Sequence, residues 1–228
     1  SKGAIANLSV AKAYIKEVIR RISTTSWFKP TIVVSVPSDL NPMERNAVIE
    51  AGKEGGAREV MLLKDPFSAA LGSGQMIECP RGVLILDIGA GVTEISLLSL
   101  NGIVMSKSLR MAGNDLDEAI IEYFKTHQRI LISQADAELL KSELGDLYGK
   151  SDKSMQISVK NLITRLPETC VIHASDVHKA IVPLVDKIVT LSHSMLSELP
   201  PVFAQDIYDQ GILLTGGSSM LKGLEGYL

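Results

Sequence analysis

Apolar residues recur at Val10, Tyr14, Val18 and Ile22 with Lys12, Lys16, Glu17 and Arg20 on other faces, so the chain begins on an amphipathic helix. Trp27-Phe28-Lys29-Pro30 ends it. Residues 31–36 are β-branched and apolar enough for a buried strand, closed by Pro37. Asn41-Pro42-Met43-Glu44 supplies an N-cap, a first-turn proline and a capping-box acid; the helix it opens runs to about Lys53 and stops at Gly55-Gly56. Residues 59–63 form a second short strand. Residues 66–71 start a helix whose Ser68, Ala69 and Ala70 allow close packing on a sheet. After a polar break at 73–82, residues 84–98 read as strand, glycine turn and strand, and 102–109 complete a three-strand meander. Residues 115–126 and 134–144 have helical periods, 155–159 alternate like an exposed strand, and a loop containing Pro167 follows. Residues 177–199 form a long helix with Ile181, Leu184, Val185, Ile188, Leu191, Met195 and Leu199 on one stripe, stopped by Pro200-Pro201. Ile207 and Tyr208 lead into a buried strand at Ile212-Leu213-Leu214, which runs into Thr215-Gly216-Gly217-Ser218-Ser219 and a new helix start.

Strands alternating with helices over 228 residues predict an α/β protein of one large or two modest units. A net charge of −3 leaves no electrostatic footprint for nucleic acid or an anionic membrane. Two cysteines, Cys79 and Cys170, are too few for a disulfide framework and lack metal-ligand spacing; they read as small core residues in a reducing, cytosolic setting. No signal segment or membrane-spanning apolar run is visible. The chain opens directly on a helix and stops a few residues into another, the pattern expected of a fragment of something longer.

The candidate chemistry centres on Leu84-Ile85-Leu86-Asp87-Ile88-Gly89-Ala90-Gly91-Val92-Thr93. An apolar strand delivers Asp87 into a glycine turn. Gly89 and Gly91 can adopt positive φ and turn bare N–H groups toward an anion, while Asp87 can accept hydrogen bonds from waters around Mg²⁺. A tight turn between two buried strands explains the same residues without a ligand. Thr215-Gly216-Gly217-Ser218-Ser219 again sits where a strand meets a helix, suited either to a ribose or phosphate oxygen or to a helix start capped by Ser218. Both lie at strand ends of one α/β unit, where such folds bind ligands. Glu138-Leu139-Leu140-Lys141 puts a carboxylate and an ammonium on one helix face, a clasp for a nucleoside or a solvated surface pair. Trp27-Phe28 is either a membrane-inserting pair or a core contact. His127, His173, His178 and His193 show no ligand spacing, and no nucleophile elbow is present.

In this order the motifs resemble the MreB family of bacterial actin homologues, within the actin, heat-shock-chaperone and sugar-kinase ATPase superfamily. The resemblance runs through Val34-Ser35-Val36-Pro37, Glu44-Arg45, Gly56-Ala57-Arg58-Glu59-Val60, Asp87-Ile88-Gly89-Ala90-Gly91, Ser99-Leu100-Asn101-Gly102, Gly113-Asn114-Asp115 and Leu214-Thr215-Gly216-Gly217. It implies an actin-like (ribonuclease H-like) ATPase fold with an incomplete first lobe and a second lobe carrying a helical insert. Residues 1–72 would be part of subdomain IA, 73–113 with 173–228 subdomain IIA, and 114–172 subdomain IIB.

By that resemblance Asp87 organises Mg²⁺ through water, Gly89, Ala90, Gly91 and Val92 hold ATP phosphates, and Glu138, Leu139, Leu140 and Lys141 touch the nucleoside. Gly216, Gly217, Ser218 and Ser219 form the adenosine loop, and Trp27 and Phe28 contact the membrane. The implied function is ATP-dependent assembly into membrane-associated filaments that set cell shape, on the cytoplasmic side of the inner membrane, with cell-shape membrane proteins as partners. Three departures bear on turnover. Asp65 stands where the family has a water-positioning glutamate, one methylene longer. Val92 replaces a threonine tied to hydrolysis, although actin-like relatives do carry valine there, and Ala90 replaces a middle glycine. The superfamily's first phosphate hairpin has no counterpart before Asp87. Asp65, Val92 and Ala90 together predict nucleotide binding with slow or absent hydrolysis for the parent protein. A non-hydrolysing filament scaffold is the alternative, and a chaperone-type or kinase ATPase a weaker one that the short insert between Gly113 and Pro167 disfavours.

Overall fold

The computed structural model describes residues 8–22 and 29–228. Trp27 and Phe28 lie outside the described residues. Helix α1 (Leu8–Ile22) is followed by β1 (Thr31–Val36), α2 (Pro42–Glu54), β2 (Glu59–Lys64) and α3 (Asp65–Gly72). β1 and β2 pair in parallel, Ser35 beside Leu63, as the intervening helix requires. The capping box forms as expected: Asn41 Oδ1 accepts from the Glu44 amide at 2.9 Å, and Glu44 Oε2 accepts from the Asn41 amide at 3.0 Å. A small core of Val36, Leu40 and Val48 holds this part together.

The stripe Val10, Tyr14, Val18 and Ile22 faces solvent, with Tyr14 71% exposed. The helix instead turns Ile19 inward, and Ile15 lies against Gly55 at the end of α2. The two stripes are one residue apart, a rotation of about 100°.

The second part is built on four strands: β3 (Val83–Ile88), β4 (Thr93–Ser99), β5 (Gly102–Leu109) and, late in the chain, β9 (Ile212–Thr215). Their order is β5-β4-β3-β9, with β9 parallel to β3 and the rest antiparallel. β3 is apolar apart from Asp87 because both its faces are covered. Leu84, Leu86 and Ile88 enter the main core, while Val83 and Ile85 pack with Ala70 of α3 and Leu98. β9 is only half-buried, not buried as its sequence implies, since it lies at the end of the sheet order among the described residues.

Between β5 and β9 run α4 (Gly113–His127), β6 (Ile130–Leu131), α5 (Gln134–Leu144), β7 (Ser154–Asn161), β8 (Pro167–His173), α6 (Ala174–Ser197) and α7 (Ala204–Gln210). α8 (Leu224–Tyr227) follows β9. Phe124, Ile120 and Leu116 of α4 and Val177, Ile181, Val185 and Ile188 of α6 fill one core with β3 and β4. The expected loop at Pro167 is strand β8: proline occupies its first residue, and Thr169, Val171 and Ile172 continue it antiparallel to β7. β7 is not fully exposed either, since Ile157 and Val159 reach the main core. Residues 217–220 form a single 3₁₀ turn at the expected helix start. Cys79 is exposed, contrary to its reading as a core residue. Among the described residues no helix is long and apolar enough to cross a membrane.

Candidate functional site

Asp87, one residue before the end of β3, lies between Glu94 of β4 and Thr215 of β9. The turn that follows is closed by the Gly89 amide donating to the Val92 carbonyl at 3.1 Å. The left-handed backbone expected of Gly89 and Gly91 does not occur, since neither is among the described glycines with positive φ. Gly89 is small for another reason: a Cβ there would come within 3.3 Å of the Val92 carbonyl oxygen across the turn.

Three other segments fasten this hairpin. The Gly113 amide donates to the Gly89 carbonyl at 3.1 Å and the Asn114 amide to the Ala90 carbonyl at 2.8 Å, so the start of α4 is docked on the turn. Ser218 Oγ donates to the same Gly89 carbonyl at 3.1 Å, which joins the two glycine motifs across the chain. Thr93 is buried and its hydroxyl donates to the Met111 carbonyl at 2.7 Å.

Gly216 is the position where glycine is obligatory. Its φ is +86°, and a Cβ would lie 2.3 Å from the Ile88 carbonyl oxygen and 2.5 Å from Asp87 Oδ1. Gly217 has open space around it, so the close approach to the protein's own backbone is made by Gly216 and not by Gly217. The family resemblance at Gly113-Asn114-Asp115 assigns Gly113 no role at the site. Yet a Cβ on it would meet Ser218 Oγ at 2.6 Å and Lys141 Nζ at 3.4 Å, which puts it at the junction of all three candidate motifs.

The helix motif is reorganised. Lys141 does not clasp Glu138; it pairs with Asp117 of α4 at 2.7 Å and donates to the Gly113 carbonyl at 3.0 Å. Burial raises the pKa of Asp117, and the Lys141 ammonium opposes that rise. Leu140 is wholly buried in the main core, so it supports the site from behind, while Glu138 and Leu139 are exposed. Lys141, Ser142, Gly217, Ser218, Met220, Leu221 and Leu116 line a cavity of about 240 Å³.

On the other side of Asp87, a cleft of about 470 Å³ is lined by Ser35, Asp65, Ser68, Asp87, Thr215 and Gly216 among others. A further pocket of about 180 Å³ lies between Pro37, Asp65, Asp87, the turn 89–92 and Glu94. Asp65 opens α3 and accepts a hydrogen bond from the Ser35 hydroxyl. Burial, with Asp65 and Glu94 nearby, pushes Asp87 up to about 6. Burial likewise raises Asp65, with the Ser35 hydrogen bond acting against it. Glu94, not picked out from the sequence, is 3% exposed and lines the same pocket. Its signal was a single carboxylate inside an otherwise uncharged strand. Among the described residues no group of histidine, cysteine, aspartate or glutamate side chains could hold a metal ion directly.

The family model described as MreB/Mbl protein matches residues 1–228. The cell shape-determining protein MreB of Escherichia coli K12 is 34% identical over 99% of the chain and 66% of its own length. The cell shape-determining protein Mbl of Bacillus subtilis 168 is 32% identical over 99% of the chain and 68% of its own length. The chain thus spans about two thirds of the length of these relatives. The crystal structure of MreB5 of Spiroplasma citri bound to AMPPNP superposes with a TM-score of 0.90 at 32% identity, covering 99% of this chain and 68% of that one. A MamK double helical filament shares the fold at a TM-score of 0.81 and 20% identity, covering 100% of this chain and 69% of that one. The fold is therefore the actin-like one.

Proposed function

The chain belongs to the MreB/Mbl family, and we propose that it is the nucleotide-holding part of a cytoskeletal, cell shape-determining protein that binds ATP with Mg²⁺. The observation that carries this is the Gly89 carbonyl, which receives both the Gly113 amide and the Ser218 hydroxyl, so that hairpin, helix start and second glycine loop frame one site. The residues fit a nucleotide. Gly113 and Gly216 let the hairpin, the start of α4 and the second glycine loop close on one another where any Cβ would intrude, Lys141 offers a cation beside the 240 Å³ cavity, and the turn 89–92 borders a separate pocket. Gly89, Ala90, Gly91 and Val92 would face phosphates; Lys141, Gly216, Gly217, Ser218 and Ser219 the nucleoside, with Glu138 at its rim. Mg²⁺ would ride on the phosphates and be reached by Asp87 through water. Bound nucleotide supplies a transferable phosphoryl group; Asp65 and Glu94 flank the pocket where water would meet it.

The remaining parts of the reading rest on the family. They are the subdomain division at 72/73, 113/114 and 172/173, filament assembly by the full-length protein, cell-shape membrane proteins as partners, and peripheral contact with the inner face of the membrane through Trp27 and Phe28. Titration of the full-length protein with Mg²⁺ and a fluorescent non-hydrolysable ATP analogue tests nucleotide binding. Saturable binding displaced by ATP is expected; its absence at millimolar nucleotide overturns the reading.

Asp65 and Val92 favour slow turnover within the same reading, because a shorter carboxylate and a missing hydroxyl both weaken the hold on water. Phosphate release that Asp65→Glu or Val92→Thr accelerates supports this; release that neither variant changes counts against it.

A further inference from the structure

Glu94 is a buried carboxylate held by donors from three segments. Oε1 accepts hydroxyl hydrogen bonds from Ser96 and Ser106, each at 2.9 Å, and Oε2 accepts the Ser38 amide at 3.1 Å. These donors come from β4, β5 and the loop after β1, so the side chain has one position and little rotamer freedom left to lose. The Ser96 hydroxyl also lies 2.8 Å from Ser106 Oγ, and its one proton serves either that oxygen or Glu94. A carboxylate has about four lone-pair sites, so at most three donors leave Glu94 at least one acceptor position. It lines the 180 Å³ pocket whose floor is the turn 89–92. Asp65 lines the same pocket, yet Ser35 already takes one of its oxygens, and it also faces the larger cleft on the far side of Asp87. Val92 contributes no hydroxyl. A fixed acceptor aimed at one place is what positioning a nucleophile requires, and fixing it beforehand avoids reorganisation during reaction.

We propose that Glu94, held by Ser38, Ser96 and Ser106, orients the water that attacks a terminal phosphate above the hairpin, the role expected of Asp65. The proposal rests on the nucleotide reading above. Water oxygen bonds to the terminal phosphorus as the bridging P–O bond breaks, its electron pair leaves on the nucleoside diphosphate, and the water protons pass to the released phosphate. Glu94 acts by holding the water and takes no proton.

Glu94→Gln separates this role from a structural one. The amide oxygen can accept from Ser38 and the amide NH₂ can donate to the Ser96 and Ser106 hydroxyl oxygens, so every packing contact survives while the charge is lost. Three quantities are measured on full-length wild type, Glu94→Gln and Asp65→Asn: affinity for ADP, affinity for ADP with aluminium fluoride as a transition-state mimic, and phosphate release. Glu94→Gln is expected to bind ADP within about twofold of wild type but to lose at least about tenfold in mimic affinity and in release, with Asp65→Asn losing less than about threefold. Should Glu94→Gln fail to fold, Ser106→Ala removes one donor and is expected to lose about threefold in mimic affinity alone. Unchanged mimic affinity in Glu94→Gln (or, failing that, Ser106→Ala), a larger loss in Asp65→Asn, or no phosphate release by nucleotide-bound wild type overturns the assignment. Absence of ADP binding by wild type overturns the nucleotide reading itself.

Discussion

Gly216 packs so closely on Asp87 that a Cβ would lie 2.5 Å from the carboxylate Oδ1. Its φ of +86° adds a second constraint, because L side chains rarely adopt that backbone. Gly216→Ala is expected to destabilise the protein by about 3 kcal/mol or more, since neither the strand carbonyl nor the turn can withdraw. Gly217→Ala, with open space around it, is expected to stay within about 0.5 kcal/mol of wild type. Urea denaturation of the two variants gives the comparison; equal losses would show that the close approach is not what fixes Gly216.

Asp87 supplies a pH prediction. Its carboxyl is raised from 3.8 to about 6, so between these values the folded protein binds a proton that the unfolded chain has released. Stability from this group is complete below pH 4 and falls as pH rises through 6. Asp87→Asn is therefore expected to raise stability by about 1–2 kcal/mol at pH 7.5, the half-buried site being partly screened by solvent, and to give no gain at pH 4. Thermal melts of both proteins from pH 4 to pH 8 measure this. A gain independent of pH would contradict it.

The Asp117–Lys141 pair is buried on the carboxylate side, with the Asp117 side chain 3% exposed. Lys141→Met leaves that carboxylate uncompensated and is expected to cost about 3 kcal/mol at neutral pH, less in acid as Asp117 takes up a proton. Adding Asp117→Asn should recover at least about 1 kcal/mol. A double-mutant cycle by chemical denaturation reads the coupling; additive losses would mean that the two side chains do not act as a pair.

Trp27 and Phe28 carry the membrane part of the proposal. Full-length wild type is expected to co-sediment with liposomes, and the double variant Trp27→Ser with Phe28→Ser to lose at least about half of that binding. Equal binding would return the pair to ordinary core packing.

What could be read from the sequence follows a physical rule. β3, β4 and the turn between them were legible because an uninterrupted apolar run, a strand-end carboxylate and glycines are local signals. The capping box at Asn41 and Glu44 was legible for the same reason. In α1, two apolar stripes stand one residue apart, and only the position of α2 decides that Ile15 and Ile19 turn inward. Pro167 reads locally as a loop, yet it opens β8, at the end of its sheet's strand order, where a proline without an amide is tolerated. Lys141 reads along its own helix as a nucleoside contact or a surface pair with Glu138, and its ion pair with Asp117 is not legible there, since Asp117 lies on another helix and spacing along one helix cannot find it. Glu94 was passed over because its three donors come from separate segments.

The central claim is that the hairpin at Asp87 and the loop at Ser218 hold one nucleotide between them. Its most direct test is the affinity of full-length wild type, Asp87→Ala and Ser218→Ala for a fluorescent non-hydrolysable ATP analogue in the presence of Mg²⁺. Saturable binding by wild type, at least about tenfold weaker in Asp87→Ala and about threefold to tenfold weaker in Ser218→Ala, is the predicted result. Wild-type affinity in both folded variants would contradict it.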